Sequence, residues 1–341
     1  MDFLQAFQQE AQRGDQADVE KMALYIAGAA YPGLDLYSVQ AQLDDLASAV
    51  ERELSTDLAG RQRAEAFMAV LSRSLGFMGN REDYYDPRNS FLNDVLDRRT
   101  GLPITLSLIC MAVGQRVGLS VYGVGYPGHF MAGLRSGDDL WLLDLFTARV
   151  LSPKEVPGHL AALFQQPLNF VHQMGASPVS SLSLVRRILN NLWNIYHSQD
   201  DFSNALWVLD YMLALTPDDP RLWQERGTVA YQAGRLLDAG RSLRRYLYLT
   251  GHLGRFLGLD GGVILEDLDG SEVDLGEVDL GENDLMDPLF GEEREGNEGA
   301  EAEPDWRRTG YRAAPAPADD DDVWEILGLL SQVNEELQRM N

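Results

Sequence analysis

The amino-acid sequence predicts a mostly helical α+β fold assembled from several parts. Apolar residues recur at spacings of three and four near the start, as at Leu36, Val39, Leu43, Leu46 and Val50; this is the stripe of an amphipathic helix. Two apolar runs flank the turn signal "RSGDD" at residues 135–139, the pattern of an antiparallel hairpin. Residues 182–251 repeat with a period of 34, Ala205 returning as Ala239, Leu209 as Leu243, Leu213 as Leu247 and Leu215 as Leu249.

Taken in order, residues 2–79 read as packing helices. One is stopped by Pro32-Gly33, and another over "RQRAEAFMAVLSRSLGFMGN" ends near Gly76. Asp86-Pro87 opens a turn, and "NSFLNDVLDRR" follows as a short helix. Gly101 breaks that pattern, and Pro103 suits the first turn of a new helix, where its missing N–H costs nothing. That helix runs to about Gly118 and is apolar on nearly every side, so it is expected to be buried and central. "SVYGVGY" and the hairpin supply strands. With the turn centred near Gly137, Met131 faces Asp144 and His129 faces Phe146. His129 and Asp144 then become diagonal neighbours on one sheet face, roughly 7–8 Å apart. The period of 34 and its small alanine look like two tetratricopeptide repeats, too few to stand without another element to lean on.

From about residue 260 the composition changes. Residues 1–259 hold 28 acidic and 23 basic side chains, whereas residues 260–341 hold 25 and 5. "EVDLGEVDLGENDL" is a low-complexity repeat with little to bury, read as disordered. A final amphipathic helix follows the run of aspartates. Its Trp324, Ile326, Leu327 and Leu330 are too apolar to leave in water and are expected to dock on a partner. The expected division is a helical extension (1–79), a core (80–178), the repeats (179–255), an acidic linker (256–320) and the terminal helix (321–341).

The net charge of −25 argues against nucleic-acid binding and favours a protein partner with a basic surface. No apolar run is long enough to span a bilayer, and the first residues lack the basic and apolar regions of a signal peptide. A cytoplasmic protein without membrane insertion is expected. One cysteine, Cys110, excludes an internal disulfide and multi-cysteine metal sites. No cofactor is expected, and no metal, because no second histidine lies at ligand spacing from His129.

A histidine with an aspartate partner suggests nucleophilic catalysis. Cys110, however, sits two turns inside its helix, away from the N-terminal dipole that stabilises a thiolate. Ser107 is one turn inside, where a hydroxyl more often bonds its own backbone. The stretches "GFMGNREDYYDPRNSFLNDVLDRRTGLPITLS", "GVGYPGHF" and "LLDLF" resemble the SirB-type transglutaminase-like core family, in which this core precedes tetratricopeptide repeats. The resemblance implies a papain-like α+β core. It places His129 and Asp144 at two triad positions and Pro103 where catalytic relatives carry the cysteine of a Gly-x-Cys motif. The core is thus expected to be degenerate, with Ser107 a weak substitute nucleophile. The favoured reading is a non-catalytic interaction or scaffold protein. The alternative is a thiol-hydrolase or acyl-transfer enzyme with an unorthodox nucleophile.

Overall fold

The structure is a computed structural model and describes residues 1–55, 57–137, 139–165, 176–253 and 320–340. The acidic stretch expected at 256–320 lies outside the described residues except for Asp320. Among the described residues the chain forms two compact units, one ending at Pro217 and one beginning at Asp218.

The first unit opens with three helices: α1 (Phe3–Ala11), α2 (Val19–Ala30) and α3 (Leu36–Glu53). Asp2, Asp18 and Asp35 start them by accepting backbone N–H groups of the first turn, a cap worth about 1 kcal/mol each. The α3 stripe buries Val39, Leu43, Leu46 and Val50. Helix α4 (Gly60–Ala69) widens into a π-turn over Val70–Ser74.

Here the expectation of helix up to residue 79 fails. Met78–Gly79 form a short strand, β1, pairing in parallel with β2 (Thr100–Gly101). Main-chain pairing decides it. Met78 N donates to Arg99 O at 2.9 Å and Asn80 N to Gly101 O at 3.1 Å. Gly79 also lets the chain approach Phe146, whose ring would overlap any Cβ placed there. Between β1 and β2 run a 3-10 turn (Pro87–Asn89) and α5 (Leu92–Arg98).

Helix α6 (Pro103–Arg116) is the centre of the unit. Eleven of its fourteen residues are buried, so it is enclosed on all sides rather than on one stripe. It packs on α3 and on the sheet. The sheet is antiparallel, in the order β3 (Ser120–Tyr126), β4 (His129–Ser136), β5 (Asp139–Asp144) and β6 (Arg149–Leu151). The β4–β5 register pairs Ala132 with Leu143 and Leu134 with Trp141. This is the register expected from a turn at Gly137. Helix α7 (Val156–Phe164) follows β6.

Four helices carry the 34-residue period: α8 (Ser181–Ser198), α9 (Phe202–Leu215), α10 (Pro220–Gln232) and α11 (Leu236–Leu249). Ala205 and Ala239 are both fully buried, as are the recurring leucines at 209 and 243. The two hairpins nevertheless belong to different units. The first lies on α1 and α2, with the Phe7 and Tyr211 rings 4.8 Å apart and the Tyr211 hydroxyl donating to Tyr25 O.

The second hairpin is covered by the terminal helix α12 (Asp320–Arg339). Val323, Ile326, Leu330 and Val333 of α12 are buried. The Tyr231 hydroxyl donates to Glu336, and Arg244 donates to Asn334 at 2.7 Å. This corrects the expectation that Ile326 and Leu330 wait for a partner, because α11 already takes the face they share. Leu327 is half-buried, and Trp324 is 68% exposed.

Candidate functional site

The site is built where the N-terminus of α6 meets β4. Leu102 is extended, as a residue before proline must be. Pro103 occupies the first helical position and is buried. The segment is held by Asn89, a fully buried residue of the preceding loop. Its backbone carbonyl accepts Leu102 N–H. Its side-chain amide donates to Asp83 O at 2.7 Å and to Tyr84 O at 3.2 Å, and its Oδ1 accepts from Asn80. Buried polar groups that are satisfied in this way fix a loop in one conformation. Sequence reasoning missed this asparagine because nothing in its spacing separates it from an ordinary turn residue.

No reactive side chain stands at the start of α6 among the described residues. Ser107 is buried, and its hydroxyl donates to Pro103 O at 2.8 Å, one turn back along the same helix. The carbonyl of Phe130 on β4 lies 3.4 Å from the same hydroxyl. The Thr105 hydroxyl is buried without a hydrogen bond, so no base is bonded to it. Cys110 is fully buried. Burial, and secondarily the negative charge of Asp144, push its thiol well above the usual range. It is a neutral thiol, and the thiolate is the nucleophilic form.

The opposite side of the site is closely bonded. Pro127-Gly128 turns the chain between β3 and β4, Gly128 taking the positive φ of +67° that this turn needs. His129 follows immediately and is 5% exposed. The Phe146 and Phe164 rings stand edge-on to its imidazole at 6.1 and 6.4 Å. His129 Nε2 lies 3.1 Å from Asp144 Oδ2, close enough for an ion pair but not aligned for a hydrogen bond. The two residues expected to be neighbours are therefore brought together.

A third residue, His159 on α7, joins them. Its Nε2 is 2.7 Å from the same Asp144 oxygen. The Thr147 hydroxyl donates to that oxygen at 2.7 Å, and Thr147 N–H donates to Oδ1 at 3.2 Å. Burial alone would raise the Asp144 carboxyl. His129, His159 and Thr147 outweigh it and hold the group far below the usual carboxylate range. Asp144 is thus an anion in the interior, orienting two imidazoles.

His159 also overturns the reason given above for discounting a metal, since the fold brings a second histidine to Asp144 from far along the chain. The donor set His129, Asp144 and His159 has zinc-site chemistry, and its donor atoms lie within 4.8 Å of one another. Neighbouring ligands of a tetrahedral zinc ion sit about 3.3 Å apart for bonds near 2.0–2.1 Å. The two short contacts of Asp144 Oδ2, to His159 and Thr147, follow hydrogen-bond geometry instead.

Beside this cluster lies a cleft of about 970 Å³. Phe146 and Thr147 line it, so the residues that pack against His129 and bond Asp144 also form its wall. Across from them stand α4, the π-turn and β1.

Residues 37–190 match the transglutaminase-like superfamily, and residues 192–255 match the tetratricopeptide repeat. A UPF0162 protein of Xylella fastidiosa is 35% identical over 236 residues, which are 67% of this chain and 82% of the relative. A UPF0162 protein of Vibrio cholerae is 27% identical over 219 residues, 64% of this chain and 81% of that one. Human F-box only protein 21 is 38% identical over a shorter stretch of 85 residues, 25% of this chain and 14% of that protein. The chain belongs to the UPF0162 family of SirB-type proteins, in which a transglutaminase-like core is followed by tetratricopeptide repeats.

Proposed function

We propose that this protein is a non-catalytic interaction scaffold built on a degenerate transglutaminase-like core. One observation carries the reading: the start of α6, where the resemblance places the nucleophilic cysteine of catalytic relatives, holds Pro103, which has no reacting group. The other hydroxyl and thiol groups of that helix do not replace it. Ser107 gives its proton to its own backbone, and Cys110 is neutral and enclosed.

The retained His129–Asp144 contact is what favours the alternative, an acyl-transfer or thiol-hydrolase enzyme with another nucleophile. In the scaffold reading the same cluster ties β4, β5 and α7 together around one buried charge. Tetratricopeptide repeats are docking elements, and exposed Trp324 and half-buried Leu327 on α12 belong to the docking surface. The acidic excess of residues 260–341 suits a partner with a basic face. A single enclosed thiol suits the reducing cytoplasm. Among the described residues no helix is long and apolar enough to cross a membrane.

The test is an acyl-transfer assay on the full chain with a glutamine-bearing peptide and a primary amine. Ammonia release no faster than in buffer is expected. Turnover that His129→Ala abolishes would establish the enzyme instead.

A further inference from the structure

We infer that the cleft beside the Asp144 cluster is a docking groove for an extended, acidic peptide segment of a partner protein. The inference names the partner chemistry of the interaction scaffold and rests on that reading.

Charge is the first ground. The chain is strongly acidic, yet this cleft is lined by four arginines against two glutamates. Arg61 is neutralised, with Glu65 at 2.8 Å and Glu155 at 3.6 Å. Arg73, Arg81 and Arg149 are exposed and have no carboxylate partner among the described residues. Arg81 lies over the Phe146 ring, 5.7 Å from its centroid, and a guanidinium placed over a ring face can still bind a carboxylate through its N–H groups.

Backbone geometry is the second ground. Consecutive side chains of a strand point to opposite faces of its sheet. Arg149, Val150 and Leu151 are consecutive, and all three line the cleft. The cleft therefore meets β6 at its edge rather than at a face. Among the described residues β6 pairs only with β5, so its outer edge is a template for one more strand. A peptide added there gains main-chain hydrogen bonds, and alternate side chains reach the arginines or the apolar side chains of exposed Met78 and half-buried Val150. A nucleic acid has no main chain to pair with the edge, which favours a peptide.

Fluorescence anisotropy on the full chain tests this with labelled peptides of alternating Glu and Val, and of alternating Lys and Val. The acidic peptide is expected to bind, more weakly as salt is raised, and the basic peptide is not. Arg73→Glu with Arg149→Glu should weaken binding about tenfold or more, while Arg52→Glu on α3 should leave it unchanged. Arg81→Gln, a milder change, should weaken it less, and unchanged melting would show that each variant is folded. A proline placed midway in the acidic peptide should also reduce affinity. Failure of the acidic peptide to bind, equal binding of both peptides, indifference to the arginine variants, or tighter binding of an oligouridine RNA would each overturn the inference. Ammonia release by the unmodified chain would sink the scaffold reading without touching the groove, and loss of peptide binding in an inert chain would do the reverse.

Discussion

The two sides of the candidate site are built to different standards. On the sheet side, one buried carboxylate holds two imidazoles and a hydroxyl within 3.1 Å. On the helix side, Pro103, Ser107 and Cys110 present a pyrrolidine ring, an internally bonded hydroxyl and a neutral thiol. The difference separates two uses of the same residues. A histidine–aspartate pair with a nucleophile is machinery for acyl chemistry. Without one it is a buried polar knot whose value lies in holding β5, β4 and α7 in place.

The largest effect should come from removing the charge at the centre of that knot. Asp144→Ala strips His129, His159 and Thr147 of their common partner, and each buried polar group left unpaired costs about 1–3 kcal/mol, so a loss of about 3 kcal/mol or more is expected. Thermal or denaturant melting reads it. A loss below about 1 kcal/mol would mean that the two sides are not energetically different.

An acid titration sharpens the same point. The folded-state carboxyl of Asp144 is depressed below its unfolded value, near 3.9 for an unperturbed aspartate. Its stabilisation is therefore complete above that value and is lost as pH falls below it toward the lower folded one. An Asp144→Asn chain should show a shallower decline in stability below about pH 4 than the unmodified protein.

Smaller changes follow at single contacts. His159→Phe removes the 2.7 Å contact to Asp144 and should cost about 1–3 kcal/mol. Ser107→Ala on the other side loses a hydrogen bond within its own helix and a long one to Phe130 O on β4, about 1 kcal/mol in all, with no change in any turnover. A larger loss at Ser107 than at His159 would reverse the comparison.

Much of this arrangement is legible in the sequence, for local reasons. The turn at Gly137 fixes the hairpin register, and register places His129 beside Asp144. Pro103 and the all-round apolar pattern mark the central helix. What sequence could not supply is long-range. His159 reaches Asp144 because α7 folds back onto the sheet, and Asn89 fixes the 80–102 loop through main-chain carbonyls that have no side-chain signature. The apolar stripe of the terminal helix is visible in sequence, but what covers it is not, since amphipathicity says only that a face must be buried. Here α11 buries Ile326 and Leu330.

The central claim is that the scaffold of an acyl-transfer site persists here without its nucleophile. Iodoacetamide labelling of the native full chain at neutral pH, read by intact mass beside a Pro103→Cys variant, tests it most directly. The unmodified chain should stay unlabelled, because Cys110 is enclosed and neutral. The Pro103→Cys thiol, at a buried position but at a helix N-terminus that stabilises the thiolate, should label faster than Cys110. Fast stoichiometric labelling of Cys110 in the native, unmodified protein would contradict the account.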